Sequence, residues 1–259
     1  MDKLGIQLYS VRDRMKTEKD IIETFKRLAE IGYTQAQTAG DFVILPDRFA
    51  KYAHDAGIEI IGTHYDWDAI KNDTEDTVRI HEMLGTTNVG IGGMPKPARE
   101  SLDALKSFIE DMNKTAVKLK KYGCKLTYHN HSFEFKKFDG KTLMDYMIEG
   151  FTEDNITFVL DTYWVQHGGA DIRRMIERLS GRIDILHLKD MAACGGADGK
   201  NPYITDIGYG NIDFRDIVAL AEKTGVKYFC VEQDGNYEID SMTSAKTCFD
   251  YLKKNVMDK

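Results

Sequence analysis

Residues 128–135 read YHNHSFEF and follow a β-type run, CKLTY, at 124–128. His129, His131 and Glu134 thus fall within a span of six positions, where a buried strand should be ending. Such groups are costly inside an apolar core, because an unpaired charge or donor there loses its hydration. The stretch makes sense if this strand opens onto a pocket, and the rest of the chain says which kind.

On both sides one order recurs: apolar strand, polar loop, amphipathic helix, glycine, next strand. The strands read KLGIQLY (3–9), YTQAQTA (33–39), IEIIGTH (58–64), TNVGIG (87–92), KLTYHNH (125–131), ITFVLDT (156–162), DILHLKD (184–190) and KYFCVEQ (227–233). Helical stretches carry an apolar stripe, as in Leu102, Leu105, Phe108, Ile109, Met112, Ala116 and Leu119. Thr17 with Asp20 three residues on marks a helix start. Gly32, Gly57, Gly85, Gly123, Gly150, Gly181 and Gly225 stand where helices should stop. Seven stops and a final helix give eight strand–helix units. No linker divides them, so the expectation is an α/β fold: one domain over 1–259, a single closed (β/α)8 TIM barrel. A doubly wound open sheet is the structural rival.

Barrel chemistry sits at the C-terminal strand ends, and strand side chains alternate between faces. In DILHLKD, Leu186 and Leu188 suit the helix side, which turns Ile185, His187 and Lys189 inward. The same reading turns Cys230, Glu232 and Asp234 inward, then Thr157, Val159 and Asp161, then Thr127, His129 and His131. Glu134 lies just past its strand. Strands five to eight therefore each bring an ionisable group to one mouth. Three carboxylates there, Glu134, Asp161 and Glu232, repel unless a cation joins them. A divalent ion held by these and a histidine answers that, and the oxygen-rich set suits Mn²⁺, Mg²⁺ or Co²⁺, with Zn²⁺ a further option.

Charge and cysteine usage narrow the function classes. A net charge of -7 disfavours broad attachment to nucleic acid or anionic membrane. Cys124, Cys194, Cys230 and Cys248 form no CxxC pair, so structural zinc and a disulfide framework are not expected. No apolar run approaches the roughly 20 residues of a membrane span, and the N-terminal segment goes almost directly into a strand. The reading is a cytoplasmic protein with no nucleic-acid or membrane partner; homo-oligomerisation is left open. Between Met191 and about Ile212 the stretches GGADG and GYG lack a phosphate-cradling lysine pattern and read as a flexible loop, a candidate lid.

YHNHSFEF, LDTYW (160–164), HLKD (187–190) and VEQD (231–234), in that order, resemble the sugar phosphate isomerase/epimerase family of xylose-isomerase-like barrels. Its relatives include ketose 3-epimerases, hydroxypyruvate isomerases and inosose dehydratases. The likeness runs from GIQLYSVRD (5–13) to VEQD. It implies one divalent ion on a glutamate after strand five, an aspartate after strand six, a histidine after strand seven and a glutamate after strand eight. Those map onto Glu134, Asp161, His187 and Glu232. In epimerases the fifth-strand ligand sits at the strand end itself, where this chain has His129 or His131, so His131 is an alternative ligand. Where ketose 3-epimerases carry a substrate-binding histidine three residues after the aspartate, this chain has Trp164, with His167 three further on.

The resemblance implies a metal-dependent isomerase or epimerase acting on a small sugar. A proton would leave next to a carbonyl through an enediolate that the ion stabilises. Glu232 is the first choice of base, with Glu134 on the opposite face. Lys189 is a candidate acid or hydroxyl ligand, and His129 and His64 are candidates for hydrogen bonding or proton transfer. His131, Trp164, His167, Gln7 and Gln37 are candidate substrate contacts, while Tyr9 and Trp67 read as packing. The same site would serve a lyase or hydrolase on a keto-polyol or 3-keto-glycoside. A non-catalytic sugar-binding protein and an abasic-site endonuclease are the remaining readings; the latter's richer histidine set and basic face do not suit seven histidines and an acidic total.

Overall fold

The computed structural model describes residues 1–40, 42–194, 201–235 and 239–258. Eight parallel strands form the barrel: β1 Gly5–Gln7, β2 Gln35–Ala39, β3 Glu59–His64, β4 Asn88–Ile91, β5 Lys125–His129, β6 Ile156–Asp161, β7 Ile183–Leu188 and β8 Tyr228–Val231. Their order is β3-β2-β1-β8-β7-β6-β5-β4. The ring closes between β3 and β4 through one isolated bridge, Tyr65 with Ile91, where Tyr65 N–H donates to Gly90 O at 2.7 Å.

One helix follows each strand on the outside: α1 Glu18–Ile31, α2 Pro46–Asp55, α4 Thr74–Leu84, α5 Leu102–Lys120, α6 Leu143–Gly150, α8 Ile172–Arg178, α9 Phe214–Lys223 and α10 Ser241–Leu252. Two short helices are added at the mouth, α3 Trp67–Asn72 and α7 Thr162–His167. The expected start at Thr17 is a full capping box with Asp20. Gly85 ends α4 in the left-handed region (φ 74). Gly150 differs: it is the last residue of α6, and a Cβ there would lie 2.8 Å from Ile109 Cγ2, so it is required for helix packing. No helix among the described residues is long and apolar enough to cross a membrane.

The sheet separates two apolar regions. Outside it, Phe158, Leu160, Leu186, Leu188, Phe229 and Val231 pack against the helices. Inside, Ile61, Val159, Ile185 and Cys230 form a small plug. The inward and outward faces read from alternation are thus the observed ones. Toward the N-terminal strand ends, buried Asp184 accepts from Thr157 Oγ1 at 2.8 Å and pairs with Lys227 at 2.6 Å and Lys125 at 3.4 Å. Toward the C-terminal ends the plug gives way to the ionisable cluster.

The strands are shorter than their sequence patterns. β1 ends at Gln7 and a 3-10 helix, Leu8–Arg14, takes over; β5 ends at His129. The GYG stretch, Gly208–Gly210, is pinned rather than flexible: Gly208 N–H and Gly210 N–H donate to Asp190 Oδ2 at 2.9 and 3.0 Å. A Cβ on Gly210 would meet Asp190 Oδ1 at 2.2 Å, so only glycine allows this approach. The GGADG stretch, 195–199, lies outside the described residues.

Candidate metal centre

Strand register brings the ionisable groups together. Asp161 on β6 pairs with His187 on β7, and His187 pairs with Cys230 on β8. Just past β8, Glu232 N–H donates to Leu188 O at 3.1 Å, and Glu232 Oε2 lies 3.0 Å from His187 Nδ1. His129 closes β5 with its Nε2 3.6 Å from Asp161 Oδ2 and 3.8 Å from Glu232 Oε2. One ligand atom from each of these four buried side chains lies within 4.8 Å of all the others.

Each donor is oriented by a second contact. His129 Nδ1 lies 3.2 Å from Gly92 O, so its hydrogen donates there and Nε2 keeps a lone pair. His187 Nε2 is 2.6 Å from Gln37 Oε1 and donates to it, which turns Nδ1 toward the cluster. Asp161 caps α7 by accepting from Trp164 N–H through Oδ1 at 2.8 Å. Its Oδ2, like His129 Nε2, is buried without a hydrogen-bond partner among the described residues. Buried polar atoms are nearly always satisfied, so two such atoms facing each other fit a cation between them. Two imidazoles and two carboxylates form a mixed nitrogen–oxygen set suited to Mn²⁺, Co²⁺ or Zn²⁺, with Mg²⁺ less favoured by the imidazoles.

Protons balance the charge when no cation does. Burial alone would keep His187 neutral, but Glu232 and Asp161 raise its pKa to about 9. Burial likewise opposes the Lys189 ammonium; Glu232, Asp161 and Asp234 outweigh it and hold the proton on. Lys189 Nζ lies 3.2 Å from Glu232 Oε2 and 3.7 Å from Asp161 Oδ2, and it also bonds Asp234. Burial would raise Glu232 too, yet Lys189 and His187 hold it well below the usual carboxylate range.

Glu134, expected as the fifth-strand ligand, stands outside the four-residue group, and so does His131. His129 takes that place. The reason is local: the chain turns through a 3-10 helix, Phe133–Phe135, and folds Glu134 back under the loop. There its carboxylate accepts from Tyr128 Oη at 2.6 Å and His131 N–H at 2.8 Å. Burial, opposed by these bonds, lifts its pKa to about 7. His131 sits past the strand end, its ring 4.8 Å from His129 and 5.2 Å from Trp164. Trp164 is partly buried with Nε1 unpartnered, and Lys189 Nζ lies 5.0 Å from its ring centroid. His167 is exposed at the far end of α7, against Tyr163 and Trp164.

Gln7 and Gln37, expected as substrate contacts, are fully buried and bonded to protein partners. They brace the cluster from below. His64 does reach it: its ring is 4.8 Å from His129 and 5.5 Å from His187, and burial, with those rings, keeps it neutral. Asp234 was legible only as an inward position, yet it is the closest acidic partner of Lys189. Asn130, whose Oδ1 accepts from Asp161 N–H at 2.9 Å, and Gly92 carried no sequence signal at all.

The sequence profile described as xylose isomerase-like TIM barrel matches residues 25–254. The chain belongs to that family. Among solved structures, this xylose isomerase-like barrel is similar to a sugar phosphate isomerase/epimerase from Parabacteroides distasonis ATCC 8503, with TM-score 0.82 and 24% identity over 100% of this chain and 96% of that one. It is also similar to an L-ribulose 3-epimerase, with TM-score 0.73 and 16% identity over 100% and 95%. A third is a xylose isomerase-like TIM barrel protein from Mycobacterium smegmatis in complex with magnesium, with TM-score 0.71 and 16% identity over 98% and 95%. These likenesses are of fold. No curated protein matches the sequence.

Proposed function

We propose that this barrel is a divalent-metal-dependent isomerase or epimerase of small sugars, working by proton abstraction next to a carbonyl. The observation that carries the reading is the cluster of His129, Asp161, His187 and Glu232 at the C-terminal strand ends, with two of its buried atoms lacking a hydrogen-bond partner among the described residues. The likeness in fold to a sugar phosphate isomerase/epimerase, an L-ribulose 3-epimerase and a magnesium-bound barrel protein supports it. These four residues would hold the ion, which would polarise a carbonyl and its neighbouring hydroxyl.

The chain's own groups then handle the proton. Glu232 is held as a carboxylate and is the base that takes it from carbon. Lys189, held as an ammonium 3.2 Å away, donates through Nζ to the oxygen on which charge develops. Trp164 and His131 wall the pocket and exclude water from one side. Glu134 positions the His131 loop through its bond to His131 N–H.

The test is to incubate the Mn²⁺- or Mg²⁺-loaded protein with a panel of ketoses and keto-polyols in heavy water and locate deuterium by NMR. Label at one carbon beside the carbonyl, in a product that is an isomer of the substrate and has lost no water, is the expected result. Loss of water from a keto-polyol would reassign the site to a lyase. No exchange and no product with any metal would end the enzymatic reading.

A further inference from the structure

Every polar atom of the Gln7 amide has a defined partner. Oε1 accepts from Tyr9 N–H at 3.2 Å. The Nε2 hydrogens therefore point the other way, to Gln37 Oε1 at 3.0 Å and to His64 Nδ1 at 3.3 Å. A ring nitrogen that receives an N–H must offer a lone pair, so in neutral His64 the proton sits on Nε2. That Nε2 is buried and has no hydrogen-bond partner among the described residues.

By spacing alone His64 would suit a second cation, since its ring lies 4.8 Å from His129 and 5.5 Å from His187. A protonated nitrogen has no lone pair for one. Moving the proton to Nδ1 would set two N–H groups against each other, and flipping the Gln7 amide would break the Tyr9 contact. The same network acts oppositely on His187. Gln37 Oε1 accepts from both Gln7 and His187 Nε2, the latter at 2.6 Å, so His187 keeps Nδ1 for the cluster.

We infer that Gln7 assigns the two histidines opposite tasks: His187 offers a lone pair to one divalent ion, while His64 offers an Nε2–H to an oxygen of the bound carbonyl compound, which limits the centre to a single ion. The ion and the carbonyl compound rest on the proposed function, whereas the two tautomers rest on the hydrogen bonds of Gln7 and Gln37 alone. Gln7 is a positioning residue in this arrangement, and His64 touches substrate.

The test uses the full chain labelled with ¹⁵N-histidine and long-range ¹H–¹⁵N correlation. His64 should carry its proton on Nε2 both metal-free and with Mg²⁺, and a Mn²⁺ titration should saturate at one ion per chain. A proton on Nδ1 in the wild type, or two ions per chain with His64 Nε2 deprotonated, overturns the inference. In Gln7→Glu the carboxylate should draw the His64 proton to Nδ1; an unchanged His64 spectrum in the folded variant removes Gln7 from the role. Dihydroxyacetone added to the Mg²⁺-loaded wild type should shift the Nε2 resonance. His64→Phe should keep one ion but bind dihydroxyacetone about tenfold more weakly, and His64→Gln should recover part of the loss. An unmoved Nε2 at saturation overturns the donor role. Absence of deuterium exchange across the ketose panel, with the tautomers as stated, would instead sink the proposed function alone.

Discussion

Asp161 Oδ2 and His129 Nε2 face each other at 3.6 Å, and neither has a hydrogen-bond partner among the described residues. Asp161 reaches this position by capping α7 with its other oxygen, so the helix start and the cluster share one side chain. Asp161→Asn keeps an acceptor for Trp164 N–H and should leave the helix intact. It should also weaken Mn²⁺ binding by about 100-fold or more, because a neutral amide replaces a charged ligand. Calorimetric titration beside a thermal melt separates the two effects; unaltered Mn²⁺ affinity would remove Asp161 from the centre.

Lys189 is the cation that lets Asp161 and Glu232 coexist in a buried place. Lys189→Met leaves those carboxylates with too little positive charge beside them, His187 remaining, and should cost about 3–5 kcal/mol in metal-free protein. Saturating Mn²⁺ should return a large part of that, since the ion supplies the missing charge. Urea unfolding with and without Mn²⁺ measures both quantities. A loss of the same size in both conditions would mean that Lys189 acts by packing alone.

Glu232→Gln removes the proposed base while keeping its shape. Deuterium exchange into a ketose substrate should fall by at least about 100-fold. Exchange at the wild-type rate would transfer the base role elsewhere.

His81 allows a test of pH dependence away from the cluster. It is fully buried, with Nδ1 bonded to Thr77 O at 2.7 Å and Nε2 to Thr63 Oγ1 at 2.8 Å. Burial, weakly opposed by the Thr77 carbonyl, lowers its pKa to about 4. In the unfolded chain it returns to about 6.5. Between those values the unfolded chain binds more protons, so stability is full above about pH 6.5 and is lost as pH falls toward 4. The loss from this group amounts to about 2–3 kcal/mol by pH ~4.5. His81→Gln should flatten the stability–pH curve by that amount; parallel curves for the two proteins would contradict it.

The alternation of apolar and polar residues made the barrel and its inward faces legible. Ile185 and His187 point in while Leu186 and Leu188 point out, as a period of two requires. Glycine punctuation located the helix stops, although Gly150 serves close packing against Ile109 rather than a left-handed turn. Which fifth-strand side chain joins the cluster was not legible because alternation does not say where a strand stops. β5 ends at His129, and a turn held by Glu134's own hydrogen bonds decides which side chain faces the cluster. The hydrogen bonds of Gln7 and Gln37 to each other and to His187 were not legible, since these partners come from elements far apart in the chain.

The barrel's neighbouring strands are joined by continuous ladders, whereas β3 and β4 meet through the isolated Tyr65–Ile91 bridge and two bonds made by side chains, Asn88 Nδ2 to Ile61 O at 2.7 Å and Gly90 N–H to Thr63 Oγ1 at 3.3 Å. A cylinder fastened so unevenly opens first along its seam. The open groove beside that seam is bordered by Tyr65, Gly92 and His131, and His131 also packs against His129. Fluctuation of the wall there would reach the ionisable cluster from the flank, opening a sideways approach that the ladders elsewhere deny.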